Sequence, residues 1–95
     1  PPTVSTLLPR SKMWIDKRRP LLRARVVDRG SGFGKELDLE IELNGRKLIH
    51  IYDPEADVVE ARPDHPLADG EYVWTVRARD QAGNTTEVSD VFGLR

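Results

Sequence analysis

The feature that most constrains this chain is an alternating segment near its C-terminal end, from Tyr72 to Arg79. Every second position is apolar and the positions between are mostly polar; the apolar residues are Tyr72, Trp74, Val76 and Ala78. A period of two is typical of a strand with one buried face and one solvated face. Turn residues bound the segment, Asp69-Gly70 before it and Ala82-Gly83-Asn84 after it. We therefore expect a central antiparallel strand with other strands on both sides.

Shorter apolar and alternating segments predict the remaining strands. They lie within residues 1–9, 12–15, 21–28, 37–44, 47–52, 58–62 and 85–94, with residues 12–15 as a second short piece of the first edge strand. Asn44-Gly45 is a strong hairpin signal and should pair residues 37–44 with residues 47–52. Because no helical period, internal repeat or low-complexity tract occurs, the pattern predicts an all-β sandwich.

Length and composition limit the chain to one small domain. A chain of 95 residues can bury a modest core without disulfides, and it contains no cysteine. A net charge of −1 argues against a basic nucleic-acid-binding protein. No apolar run is long enough for membrane insertion. Pro1 and Pro2 are typical of a linker stub, so we expect residues 1–95 to be one monomeric domain excised from a larger multidomain protein.

Three short motifs carry a resemblance to a known family. Leu67-x-x-Gly70-x-Tyr72 is similar to the tyrosine corner of immunoglobulin-like and fibronectin type III domains. The segments 27–33 and 80–84 resemble recurring turns of bacterial Ig-like domains. Residues 20–94 thus resemble a bacterial Ig-like or fibronectin type III-like domain of secreted or surface proteins. The cysteine pair and the Trp of antibody domains are absent from the matching places.

The resemblance implies an Ig-like β-sandwich of about seven antiparallel strands in two sheets. It also implies an extracytoplasmic protein, secreted, periplasmic or at the cell surface. The expected function is that of a non-catalytic spacer or adhesion-type interaction module, with neighbouring domains of the same chain as partners. The alternative is an accessory module that binds carbohydrate or another cell-surface polymer for a secreted enzyme. Structural roles are expected for Leu67, Gly70, Tyr72 and Trp74, with Trp74 in the core.

The sequence offers no pattern typical of an enzyme. His50 and His65 stand outside any motif that would supply a nucleophile, an orienting acid and an oxyanion hole. The glycines at positions 30, 32 and 34 precede a strand, whereas a phosphate-binding loop needs a helix N-terminus. We therefore expect a protein without catalytic residues.

Acidic residues at predicted strand ends give one metal-site hypothesis. If the strands alternate in direction, Asp28, Asp53, Asp57 and Asp80 gather at one end of the sandwich. Carboxylates of this kind suit Ca²⁺, which takes 6–8 oxygen ligands. The alternative is that each Asp accepts hydrogen bonds from its own turn. Calcium is the only cofactor that the sequence suggests.

A basic and aromatic segment near the N-terminus supplies candidate contact residues. They are Trp14, Lys17, Arg18 and Arg19, a pattern that would suit a nucleic acid, another polyanion or a lipid headgroup. Trp14 and Tyr52 could instead stack on a sugar, and a protein or a polysaccharide is the kind of partner that we expect. The alternative is that the charges keep an edge strand soluble. A basic end of the sandwich, opposite the acidic one, would consist of Lys17, Arg18, Arg19, Arg46 and Lys47. Tandem modules could then stack head to tail in a salt-sensitive way.

Charged residues on the outer faces are expected to fix the register of neighbouring strands. Glu40 and Glu42 should lie across from Arg77 and Arg79. Arg25 should lie beside Glu60 in the other sheet.

Overall fold

Every regular element of the described residues is a β-strand. The structure is a computed structural model and describes residues 2–27, 38–80 and 82–95. Within these residues the strands are β1 (Thr3–Leu8), β2 (Met13–Ile15), β3 (Leu22–Val27), β4 (Asp38–Leu43), β5 (Arg46–Leu48), β6 (His50–Asp53), β7 (Val58–Ala61), β8 (Gly70–Arg79) and β9 (Thr85–Leu94). No helix among them has the length and apolar character needed to cross a membrane.

The strands form two sheets packed face to face. One has four strands in the order β1-β3-β7-β6, and the other has five in the order β2-β9-β8-β4-β5. This confirms the predicted β-sandwich. The described residues contain nine strands where about seven were predicted, because two predicted strands each divide between the sheets. All pairs are antiparallel except β2 with β9, which is parallel.

The predicted first edge strand is divided into β1 and β2, which lie in different sheets. β1 pairs with β3, with Val4 opposite Val26. The chain then crosses to the other sheet, where β2 pairs with β9 and Trp14 lies opposite Gly93. The prediction that residues 12–15 continue the first edge strand is therefore wrong. They form an edge of the second sheet, where three residues add to the open side of β9.

The predicted strand over residues 47–52 is divided at Ile49 into β5 and β6. Asn44 and Gly45 have φ values of 49° and 83°, which is the type I′ geometry that the Asn-Gly pair predicts. The turn pairs β4 with β5 in the predicted way, Ile41 opposite Leu48. After Ile49 the chain enters the other sheet and β6 pairs with β7. The prediction of one continuous strand over residues 47–52 is wrong beyond Leu48.

The core lies between the two sheets and is centred on the inner face of β8. Trp74 is completely buried there. The other members of this cluster of buried apolar side chains are Val4, Leu22, Ala24, Val26, Ile41, Leu43, Val59, Ala61, Val76, Ala78, Phe92 and Leu94. Burial of this set is the main favourable contribution to folding, at about 25 cal/mol per Å² of apolar surface.

The charged pairs on the outer faces follow the prediction in part in the five-stranded sheet and not in the four-stranded one. Glu40 lies opposite Arg77, as predicted, whereas Glu42 lies opposite Thr75 and Arg79 lies opposite Asp38. Arg25 lies opposite Val58, and Arg23 is the residue across from Glu60, with 3.2 Å between Arg23 Nε and Glu60 Oε2. The prediction for Arg25 is therefore wrong by two residues. A shift of two keeps every side chain on its face, so alternation alone does not detect it.

Candidate functional site

A tyrosine corner fixes the start of β8. The Tyr72 hydroxyl donates to the carbonyl oxygen of Ala68 at 2.6 Å, and the Leu67 amide donates to the carbonyl oxygen of Arg18 at 2.9 Å. The ring of Tyr72 stacks on that of Phe92, with centroids 5.5 Å apart. Gly70, at the bend, has a φ of 147°, a value that side-chain-bearing residues rarely adopt. The corner therefore ties the β7–β8 connection to the β2–β3 connection.

Arg18 and Arg19, the second and third of the consecutive basic residues 17–19, link the β2–β3 connection to the β7–β8 connection. Arg18 forms an ion pair with Asp69. Arg19 Nε donates to the carbonyl oxygen of Pro63 at 2.9 Å, and Arg62 in turn donates to the carbonyl oxygen of Arg19 at 2.9 Å. Their cationic groups thus hold two connections together. Lys17 differs, since it lines an open groove.

This groove has a volume of about 670 Å³. Its lining comes from the end of β1, from β2, from the β2–β3 and β7–β8 connections and from Arg95; the residues are Leu8, Pro9, Trp14, Ile15, Asp16, Lys17, Pro20, Leu21, Arg62 and Arg95. Apolar walls with charged groups at the rim are the usual composition of a ligand site.

Trp14 forms one side of the groove and lies on the backbone of β9. A Cβ atom at Gly93 would come within 2.5 Å of Cε3 of the indole, so only glycine permits this close approach. The Arg95 guanidinium carbon lies 5.3 Å from the ring centroid, within cation–π range. The indole nevertheless remains 45% exposed. Neither Gly93 nor Arg95 was predicted to contribute to a site, although a glycine inside a strand is a known sign of close approach.

Tyr52 does not share this surface. It lies on β6, the last strand of the four-stranded sheet, whereas Trp14 lies on β2, at the opposite side of the sandwich. Tyr52 faces inward, partly buried against the core. Burial, together with the charges of Asp57 and Asp53, raises the pKa of its hydroxyl. The structure therefore separates the two aromatic residues that the sequence proposes as contacts.

The acidic residues proposed for calcium are engaged in their own turns where the structure describes them. Asp53 Oδ1 accepts from the amides of Glu55 at 3.0 Å and Ala56 at 3.4 Å. Asp80 accepts from the backbone amide and the side-chain amide of Asn84, at 2.9 and 3.1 Å. These bonds, the side-chain one first, lower the pKa of Asp80.

Asp57 and Asp28 complete the proposed set. Asp57 has a φ of 57° and offers its carbonyl oxygen to the amide of Val26 at 2.8 Å. Asp28 lies outside the described residues. In residues 2–27, 38–80 and 82–95, no three His, Asp or Glu side chains stand close enough together to hold a metal ion.

The outer face of the five-stranded sheet carries a network of ion pairs around Arg77. Its two terminal nitrogens lie 2.7 Å from Glu40, 3.3 Å from Glu42 and 2.6 Å from Glu87. Lys47 adds a contact of 3.2 Å to Glu40. Hydrogen bonds from Arg77 and then Lys47 lower the pKa of Glu40. The network spans β5, β4, β8 and β9, so it fixes the register of four strands.

Comparison with solved structures supports the same architecture. CopC from Methylosinus trichosporium OB3b is similar with a TM-score of 0.66 and 16% identity, over 97% of this chain and 93% of that one. An engineered protein from the Northeast Structural Genomics Consortium is similar with a TM-score of 0.68 and 21% identity, over 100% of this chain and 20% of that one. At these identities the likeness shows the fold alone.

Comparison with protein families is more specific. No curated protein matches the sequence. The family model described as bacterial Ig-like domain matches residues 33–94, well over half of the chain. This match covers the tyrosine corner, the Asn-Gly hairpin and both long strands. The chain belongs to the family of bacterial Ig-like domains.

Proposed function

We propose that this domain is a non-catalytic spacer and interaction module of an extracytoplasmic multidomain protein. The observation that supports this is the position of its two ends. The Thr86 hydroxyl, at the start of β9, donates to the carbonyl oxygen of Pro2 at 2.6 Å. The Arg95 amide, beyond the end of β9, donates to the carbonyl oxygen of Ile15 at 3.2 Å.

β9 therefore separates the two ends by its whole length. Ten residues of strand extend for roughly 30 Å at about 3.3 Å per residue. The domain measures 42 × 20 × 18 Å, so its long axis follows the strands. Polypeptide continuing beyond Pro2 and Arg95 would leave in opposite directions, and each such domain would add length to the parent protein.

Charge differs between the ends in a way that suits tandem stacking. The β6–β7 turn, with Asp53, Glu55 and Asp57, lies at the end that holds Pro2. Lys17 and Arg46 lie toward the other end, beyond β2 and at the start of β5. Opposite charges on facing ends would favour a straight arrangement of consecutive copies, and salt would weaken it.

Small-angle X-ray scattering of a protein with two copies in tandem tests this function. The expected maximum dimension at low salt is about twice the 42 Å length of one domain. At high salt the profile should indicate greater bending. A matched control carries a long Gly/Ser linker between the copies and should be flexible at both salt concentrations. A compact particle, with the two copies side by side, would contradict the spacer proposal.

The extracytoplasmic location rests on the bacterial Ig-like family and is tested separately. Fractionation of cells that produce the full-length parent protein should place it in the periplasm, at the surface or in the medium. Recovery in the cytoplasm would contradict this part of the proposal.

A second candidate function is an accessory module that binds carbohydrate or another surface polymer. The exposed indole of Trp14 beside the 670 Å³ groove favours it, because aromatic faces present a large contact area at low entropic cost. Titration with soluble polysaccharides, followed by tryptophan fluorescence, tests this function. Trp14→Ala should abolish the response, and buried Trp74 remains as an internal reference. A response that survives in Trp14→Ala would locate binding elsewhere.

A further inference from the structure

The outermost strand of the four-stranded sheet, β6, exposes two large apolar residues. Ile49, immediately before the strand, is 92% exposed, and Ile51, within it, is 74% exposed. No large hydrophobic side chain of the described residues is more exposed. We propose that two copies of this chain associate through β6, the strands pairing antiparallel so that the two four-stranded sheets become one. This inference does not depend on the spacer function.

β6 pairs regularly with β7 and contains no Lys, Arg or proline, although Pro54 follows it. β1 contains an irregularity between Thr6 and Leu8 and is followed by Pro9. β2 has only three residues, and β5 carries Arg46 and Lys47. Bulges, proline, shortness and positive charge are the usual means of keeping edge strands from pairing with other chains. β6 pairs on one side with β7, and within the described residues its other side forms no ladder.

Alternation along β6 limits how two copies can pair. His50 and Tyr52 are partly buried, whereas Ile51 is exposed. Residues directly opposite in an antiparallel pair share a face, so the register must keep exposed residues opposite exposed ones. A two-fold axis at Ile51 meets this condition. It sets Ile51 against its counterpart in the second copy and brings each Ile49 to the diagonal position, still within contact of that pair.

Charge on either side of β6 favours a second copy in the antiparallel direction as the partner. Arg46 and Lys47 lie on β5, which precedes β6 in the chain and belongs to the other sheet, and Asp53, Glu55 and Asp57 end or follow β6. Antiparallel pairing about Ile51 places the end of each sandwich that carries Arg46 alongside the end of the other that carries Asp53 and Glu55. Parallel pairing would place like charges together. The surface is therefore complementary to itself, and the apolar contact at its centre is bounded by opposite charges.

The contact is small, since four residues of strand pair on each side. Interfaces of this size are weak and transient. Sedimentation velocity at protein concentrations up to about 1 mM is therefore the direct measurement, because a dissociation constant of 1 mM corresponds to only about 4 kcal/mol. The expected result is a concentration-dependent monomer–dimer equilibrium, with no larger species.

Ile51→Lys should abolish the dimer, because a buried lysine pair at the two-fold axis is unfavourable. The matched control is Val73→Lys, which adds the same charge at a residue that is 47% exposed on the outer face of β8, away from β6. It should leave the dimer unchanged. Both changes affect exposed side chains, so both variants should fold, as circular dichroism would verify.

A charge reversal tests the antiparallel direction. Arg46→Glu alone should weaken dimerisation, and the double variant Arg46→Glu, Glu55→Arg should restore it. The proposal is wrong if the chain stays monomeric over this range, or if Val73→Lys disrupts the dimer as much as Ile51→Lys does. Open-ended assembly would also contradict it, since that requires a second edge. Failure to restore the dimer in the double variant would exclude the antiparallel arrangement.

Discussion

The two faces of β8 belong to one strand and contribute in different ways. The inner face, with Trp74, Val76 and Ala78, is fully buried between the sheets. The outer face carries Arg77, whose partners all remain partly in water. Apolar burial stabilises by removing surface from water, whereas ion pairs in water contribute little because solvent screens them. The inner face therefore determines whether the chain folds, and the outer face contributes to how its strands align.

The largest effect is expected at Trp74. Trp74→Ala should reduce the free energy of unfolding by about 3–5 kcal/mol, since it leaves a cavity in the core. Thr75→Ala, one residue along on the outer face, is the control; it removes the hydrogen bond to Ser89 and should change the free energy of unfolding by no more than about 1 kcal/mol. Urea denaturation of both variants is the measurement. Equal losses would show that the two faces do not differ in this way.

A smaller effect is expected at the tyrosine corner. Tyr72→Phe keeps the ring stacked on Phe92 and removes only the hydrogen bond to Ala68. The expected loss is about 1 kcal/mol in the free energy of unfolding. Tyr52→Phe removes a hydroxyl from the four-stranded sheet and serves as the comparison. If both variants lose the same amount, the corner has no special contribution to stability.

A pH-dependent effect is expected at Asp80. Its pKa is lowered in the folded state, chiefly by the side chain of Asn84, from an unfolded value of about 4. Its stabilising contribution is therefore complete above that value and is lost as the pH falls through the lower folded pKa. The melting temperature of Asp80→Asn should lie below that of the original chain at pH 7, and the two should converge toward pH 2. A constant difference over this range would contradict the prediction.

Removal of the outer-face charge should have a smaller effect. Arg77→Met keeps the aliphatic stem in place and leaves three glutamates without their common partner. We expect a lower melting temperature at low salt and almost no difference at 1 M salt, where the Debye length is about 3 Å. Arg79→Met, two residues along the same face, removes an equal charge outside this network. A loss for Arg77→Met that does not depend on salt would indicate packing rather than charge.

The smallest effect on stability is expected at Gly93. Gly93→Ala places a methyl group where the indole of Trp14 lies and should displace that exposed ring. Tryptophan fluorescence should change while the melting temperature stays nearly constant. If the melting temperature falls by as much as in Tyr72→Phe, the packing of Trp14 on the outer face of the five-stranded sheet contributes more to stability than expected for an exposed side chain.

Much of the five-stranded sheet could be predicted from sequence because its signals are local. Alternation assigns the faces of β8, and Asn44-Gly45 encodes its own turn. The opposition of Glu40 and Arg77 follows once β4 and β8 are neighbours. These features depend on short-range backbone and charge preferences.

The remaining features depend on tertiary contacts that a period of two does not encode. The alternation of Leu48, His50 and Tyr52 is the same whether the segment is one strand or two strands in different sheets. Nothing in the sequence at Ile49 therefore indicates that the chain passes there from one sheet to the other. The parallel pairing of β2 requires an open side on β9, which is known only after the sheet is assembled. The sequence predicted Trp14 as a contact residue, but it did not predict that the indole packs on the backbone at Gly93.

The parallel pairing of β2 with β9 also affects how the domain would respond to tension. A force applied between Pro2 and Arg95 acts along the strands, because these residues lie at opposite ends. β2 and β9 would be drawn past each other lengthwise, so their hydrogen bonds would be loaded together and not opened one at a time. A short strand that adds little to the core would thus resist the lengthwise displacement of β9, in addition to the β1–β3 pair next to Pro2.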